Sequence, residues 1–403
     1  MALTELQTTL LSILAHALAG EKAELDAAAV DWPALYREAT AQSVLAQVYH
    51  AVEESIPEEH RASWLAAYAQ EVVNSRRIRH EHAELHRLMT ERQIPYVSFK
   101  GCASAARYPL PLLRAMGDVD LLVHEEDCAR AEEALQSVGY QPPSNRSHVA
   151  HLAYHRCKSV WELHWKVGGI PASPAGQRTL TCLSDMIETA VPLETDDGTV
   201  LVPDDFHHGL VLLVHSAEHM INAGIGLRHL CDWATFAASL TNDEFTALFD
   251  PALKECGLWR FAQLMTQLSV HYLGIDAKAW AAEDEDDALL EAMLEDMLDA
   301  GNFGHKDHQR INQAKLITDH KKESVDNTGF AGQFVATMNE QARRAMPVCR
   351  KHPILLPLGW IYAGGRHLSR IHRGTRPEIN LSETLQGAKH RRDIYRSFHL
   401  YEQ

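Results

Sequence analysis

Residues 96–123, YVSFKGCASAARYPLPLLRAMGDVDLLV, constrain this chain more than any other stretch. Tyr96, Val97, Ser98 and Phe99 read as a short buried strand, Lys100-Gly101 as a turn, and the Ala-rich run that follows as a short helix. Pro109 and Pro111 then break the chain into a loop, and a second strand carries Asp118 and Asp120. Residues two apart in a strand point to one side, so these carboxylates project together while Val119 and Leu121 face apolar packing. Two carboxylates held side by side repel strongly unless a cation stands between them. A hard divalent ion such as Mg²⁺, which takes oxygen ligands, suits such a pair. The chemistry is expected here.

Composition sets the outer bounds. With 403 residues, 46% of them hydrophobic, the chain can bury a large core divided between two or three units. A formal net charge of -16 argues against a protein that coats nucleic acid, though it leaves room for one local basic groove. Seven cysteines without metal-type spacing, and odd in number, suit a reducing cytosol and no disulfide framework. Residues 10–20, LLSILAHALAG, imitate an export signal, but the first nine residues hold Glu5 and no Lys or Arg, so an amphipathic helix is expected. No apolar run approaches the roughly 20 residues of a membrane span. The expectation is a cytoplasmic protein without a membrane segment.

Residues 1–92 repeat apolar positions at helical spacing, with Pro33 and Pro57 near helix starts. Residues 93–204 are mixed. A helix over 125–138 ends at Gly139, and the alternating runs 148–155 and 160–167 read as an antiparallel hairpin. On the second run Glu162 and His164 share one face, and Trp161, Leu163 and Trp165 the other. A smaller hairpin turns at Asp197-Gly198. Residues 205–345 return to helices, the first capped by Asp204-Asp205, and a helix within 283–299 presents nine acids as an exposed negative face. Residues 346–403 form a basic helical tail. Together these define an α+β fold: a small mixed or antiparallel sheet with flanking helices, between two helical regions.

The order Lys100-Gly101-Cys102, then Asp118-Val119-Asp120-Leu121, then Glu162 on a later strand resembles the DNA polymerase β-like nucleotidyltransferase superfamily. Arg114 shortly before the Asp pair, the strand Glu162-Leu163-His164-Trp165, the helix with His215 and His219, and Gly226-Leu227-Arg228 leading to Asp232 are similar to the bacterial group known as uncharacterised nucleotidyltransferases. That resemblance implies transfer of a nucleoside monophosphate from a nucleoside triphosphate to an acceptor, with release of pyrophosphate. It implies that Asp118 and Asp120 hold two Mg²⁺ ions, with Glu162 as the third carboxylate. Gly101 and Cys102 would face the triphosphate, where the superfamily has Gly-Gly or Gly-Ser. Lys100 and Arg114 would meet the charged leaving group, and His164 would lie beside the carboxylates. Physical chemistry points the same way, because phosphoryl-type transfer needs charge neutralisation and in-line positioning more than covalent help.

Other readings remain open at this stage. Arg114 could instead pair with Asp118 or Glu162. Among 25 histidines, His148, His151 and His155 could meet His164 across the hairpin, and His215 and His219 lie one helical turn apart, as zinc-binding pairs do. No HExxH is present, and the sequence offers no clear acid or cysteine to complete either set, so a zinc hydrolase is the weaker alternative. Arg366, Arg370, Arg373, Arg376, Arg391, Arg392 and Arg396 read as a solvated tail, as a grip on acceptor phosphates or RNA, or as a partner for the acidic helix. The acceptor is a small molecule or a protein, with RNA disfavoured by net charge. A nucleotide-sensing protein without catalysis, or a transferase directed at tRNA or other RNA, are the functional alternatives.

Overall fold

A computed structural model describes residues 3–144, 150–282, 286–307, 310, 313–314, 318–319, 324–325, 330–372 and 381–402. Helices α1 (Glu5–Ala19), α2 (Trp32–Ala41), α3 (Leu45–Val52) and α4 (Glu58–Glu91) come first. Thr4 and Gln7 close a capping box on α1, and Gly20 ends it in the left-handed conformation. The 34-residue α4 then delivers the chain to the sheet.

Strands β1 (Tyr96–Phe99), β2 (Val119–Val123), β3 (His151–Arg156) and β4 (Ser159–His164) form one sheet in the order β1-β2-β4-β3. The expected hairpin is present as β3–β4, antiparallel, and β1 also runs antiparallel to β2. Between them β2 and β4 pair in parallel. Helix α5 (Gly101–Ala105) leaves β1, and α6 (Cys128–Ser137) follows β2 after a 3₁₀ turn at Glu125–Asp127. Gly139, with φ of 91°, stands just past α6 as expected.

Strands β1 and β2 are buried on both faces, β3 and β4 alternate buried with half-buried or exposed positions, and side-chain alternation decides what each face touches. Val119, Leu121, Val123, Trp161 and Leu163 pack with Leu85, Leu88 and Met89 of α4 and Ala131 and Leu135 of α6. The opposite face, with Val97, Phe99 and Leu122, joins the main core. That core is built from α1–α3 together with α8 (Asp205–Asn222), α9 (Leu227–Ala238), α10 (Asn242–Glu255), α11 (Trp259–Leu273) and α12 (Asp287–Ala300). Helix α7 (Pro174–Cys182) and the hairpin of β5 (Val191–Thr195) and β6 (Gly198–Val202) link the two halves. The protein is α+β.

Two expectations about charge are corrected by packing. Helix α12 is not simply a solvated acidic face, because Asp296 is buried and receives both oxygens' worth of contact from Arg310 Nη2 at 2.7 Å. The basic tail is not a solvated helix either. In the helix Leu381–Arg396, Arg391 and Arg392 are buried and Tyr395 belongs to the main core. Arg391 donates to the carbonyls of Met220, Ile221 and Arg310, so it cannot grip an external phosphate. Arg366 is exposed, whereas the side chains of Arg370, Arg373 and Arg376 lie outside the described residues. All seven cysteines are free thiols. Among the described residues, no helix is long and apolar enough to cross a membrane.

Candidate functional site

Parallel pairing aligns Asp120 on β2 with Glu162 on β4, and Leu122 with His164. Register partners on neighbouring strands point to the same face, so Asp118, Asp120, Glu162 and His164 converge. All four line one cavity of about 980 Å³, together with Lys100, Gly101, His215, His219 and Arg228. The cavity lies between this face of the sheet and helices α8 and α9. Sequence alternation therefore places the three carboxylates correctly relative to the apolar face beneath them.

Their electrostatics are those of a crowded anionic centre. Burial, with the charges of Asp120 and Glu162 added, pushes the Asp118 carboxyl up to about 6. Asp120 goes the other way: burial opposes its ionisation, but Lys100 and His164 outweigh it and hold the carboxyl well below the usual range. Lys100 Nζ donates to Asp120 Oδ1 at 3.0 Å, and His164 Nε2 meets the same oxygen at 3.0 Å. His164 Nε2 also lies 3.3 Å from Glu162 Oε2, and His151 Nε2 lies 3.6 Å from it. Despite its burial, His164 is raised above its usual range by these two carboxylates. Lys100 sits at the turn with φ of 63°, a costly conformation for a side-chain-bearing residue, and strain of this kind tends to persist at functional sites.

The donor set fits a hard divalent ion. Three carboxylates line open space, and both protein cations that touch Asp120 use a single oxygen, Oδ1. Asp118, raised by its neighbours' charges, is the group a metal would relieve most.

The turn is less simple than expected. Gly101 lines the cavity, and a Cβ there would sit 3.3 Å from the His82 ring, so a larger residue would crowd that histidine. Cys102 is buried, and its thiol faces His82 rather than the cavity, which leaves only backbone at that position. Helix α5 has five residues, too few for a large dipole.

Arg114 departs most from expectation. It lines the cavity wall, but its guanidinium pairs with neither Asp118 nor Glu162. Nε and Nη2 donate to Asp232 Oδ1 and Oδ2 at 2.8 and 2.7 Å, and Tyr108 Oη donates to Oδ1 at 2.7 Å. The buried pair clamps the loop before β2 onto α9. Arg228, one turn before Asp232 on α9, takes the position expected of Arg114. Its Nη1 donates to Ala115 O at 3.3 Å, its buried Nε has no partner among the described residues, and its charge is felt at Asp118. Its place just inside the start of α9, after Gly226, is the one sequence signal that pointed to it.

The histidines also regroup. His148 lies outside the described residues, and His155 is exposed at the far end of β3. His151, Glu162 and His164 form one potential metal-binding group, and His215, Glu218 and His219 a second. Each set does contain an acid, contrary to expectation. Phe303 and Tyr401, which also line the cavity, carried no sequence signal.

A mixed sheet with three carboxylates opening onto one cavity is the arrangement that the resemblance leads one to expect of a nucleotidyltransferase-type protein. The chain belongs to the family described as uncharacterised nucleotidyltransferases, whose pattern matches residues 28–274. Among solved structures it is similar to an antigenic nucleotidyltransferase-like protein from Paracoccidioides brasiliensis, with 18% identity over 50% of this chain and 94% of that one. The TM-score between them is 0.33. No curated protein matches the chain.

Proposed function

We propose that this protein transfers a nucleoside monophosphate from a nucleoside triphosphate to an acceptor hydroxyl or similar group, with Mg²⁺, releasing pyrophosphate. One observation carries the reading: Asp120 and Glu162 are register partners on parallel strands, and with Asp118 they open onto one cavity. These three carboxylates would hold two Mg²⁺ ions, which when bound neutralise the triphosphate and lower the cost of charge at the attacking and leaving oxygens. Lys100 and Arg228 line the cavity where phosphate oxygens would sit, with the exposed Lys166 also on its wall, and Gly101 borders the same space. His164 holds Asp120 and Glu162 in place from below. The acceptor is a small molecule or a protein, in keeping with the net charge of -16, and the activity is cytoplasmic.

Incubation with labelled nucleoside triphosphates, Mg²⁺ and an acceptor-containing lysate should release pyrophosphate and leave label on one product. Asp118→Asn with Asp120→Asn should remove that activity. Full activity in the double variant would end the proposal. Nucleotide-dependent thermal stabilisation without pyrophosphate would favour a sensing protein instead.

A further inference from the structure

Across the cavity from the carboxylates, α8 presents His215, Glu218 and His219 at positions i, i+3 and i+4, which share one helical face. One donor atom from each lies within 4.8 Å of the others. The rings of His215 and His219 stand 4.3 Å apart, and His229 of α9 adds a third imidazole 5.7 Å from His215. Buried or half-buried imidazoles normally satisfy their nitrogens. Here both nitrogens of the buried His229 lack a partner among the described residues, and the half-buried imidazoles of His215 and His219 make no side-chain hydrogen bond to them and line the cavity. Two imidazoles and a carboxylate therefore face one space, with a third, buried imidazole whose nitrogens are unpartnered beside them.

We propose that His215, Glu218 and His219 bind a borderline divalent cation of the Zn²⁺ class, with His229 beside the remaining coordination position and that position open to the cavity. Imidazole and carboxylate are the donors such ions prefer, whereas Mg²⁺ favours oxygen alone. With metal–nitrogen bonds of about 2 Å, imidazoles sharing an ion stand with ring centres roughly 5 to 6 Å apart, so His215 and His219, now 4.3 Å apart, would open slightly to share one. The donor atoms must close by about 1 Å, within reach of side-chain rotation. Burial, reinforced by Lys100, holds His215 and His219 below their usual pKa and so in the neutral form that coordinates a metal. Lys100 and Arg228 oppose a cation here, and the Glu218 carboxylate offsets them. Gly169, with φ of 76°, matters too: a Cβ there would lie 2.4 Å from the Glu218 carboxylate, so glycine leaves room for that ligand. The ion is thus distinct in chemistry from the Mg²⁺ centre on the sheet. If the transferase reading holds, its open position faces the space where an acceptor oxygen would enter.

The test uses the full chain, stripped with chelator and titrated with Zn²⁺, and with Co²⁺ as a visible reporter of tetrahedral nitrogen and oxygen ligation. The native chain and Asp118→Asn/Asp120→Asn should each bind one Zn²⁺ at this centre. His219→Ala should weaken it roughly a hundredfold and Glu218→Gln about tenfold, with metal-free melting curves confirming that both fold. Should His219→Ala not fold, His215→Asn replaces it. Unchanged Zn²⁺ binding in these variants, its loss in His151→Ala instead, or no Zn²⁺ binding by the native chain would overturn the site. Because metal binding is read without nucleotide, a failed transferase assay leaves this result standing, and the reverse also holds.

Discussion

Asp118 is the residue whose protonation should report the state of the carboxylate centre. Its carboxyl is pushed up to about 6 by burial and by two neighbouring acids, against about 3.9 in an unfolded chain. An acid with a raised folded pKa holds its proton more tightly when folded. Its contribution to stability is therefore full below about pH 4 and is lost as pH rises through 6. Two pH units correspond to at most about 3 kcal/mol. Asp120, Glu162 and Asp232 are shifted in the opposite direction, so the whole protein's pH curve mixes both signs. The difference between the native chain and Asp118→Asn isolates one. In chelator, urea unfolding should show the variant gaining on the native protein by up to about 3 kcal/mol between pH 4 and pH 7.5. Added Mg²⁺ should close that gap at pH 7.5 and do little at pH 5, where the proton competes. Parallel stability curves at all pH values would show that Asp118 is not under this strain.

At the scale of elements, the Arg114–Asp232 clamp joins the loop before β2 to α9 and so fixes Arg228 against the cavity. Both side chains are about 95% buried, and removing one leaves the other as an unpaired interior charge. Asp232→Asn or Arg114→Met should each cost about 3–5 kcal/mol in urea unfolding, while Arg114→Met with Asp232→Leu should recover much of the loss. Additive single effects in that double variant would show that the pair is not energetically coupled. This clamp also marks where sequence reasoning stops. The alternation of β2 and β4 made the carboxylate face legible, since Val119, Leu121, Trp161 and Leu163 could only face a core. Glycine and aspartate at Asp197-Gly198 made the small hairpin legible through turn chemistry. Arg114 was different, because its partner lies 118 residues away and nothing local distinguishes a phosphate ligand from half of a buried pair. Cys102 fails similarly: the turn was evident, but the direction of its thiol depends on His82 from α4.

For the molecule as a whole, the C-terminal helix holds the helix that carries the histidines. Amphipathic spacing in residues 381–396 looks the same for a solvated helix and a docked one, so only packing reveals the difference. The last carbonyls of α8 have no partners within the helix. Arg391 donates to Met220 O and Ile221 O at 3.0 and 3.1 Å, Arg310 Nε donates to Ala223 O at 3.1 Å, and the Tyr395 hydroxyl lies 2.7 Å from Met220 O. Positive charge at a helix C-terminus also favours the macrodipole. Beyond that helix the chain continues to Tyr401, whose backbone N–H donates to Gly257 O at 2.9 Å and whose side chain lines the cavity. Gly257 has φ of 64°, and a Cβ there would lie 2.6 Å from Glu402 O, so the crossing depends on glycine. The tail is thus part of the cavity's support, and its loss should be felt at the site. Arg391→Leu leaves Ile221 O without its donor and Met220 O with Tyr395 alone, takes a cation from beside the buried Asp296, and should cost about 3–5 kcal/mol. Hydrogen exchange at the amides of residues 215–224 should accelerate at least tenfold, because the end of α8 frays before the molecule unfolds. Acceleration confined to residues 381–402, with 215–224 unchanged, would show that α8 holds its own end and that the tail is only laid against it.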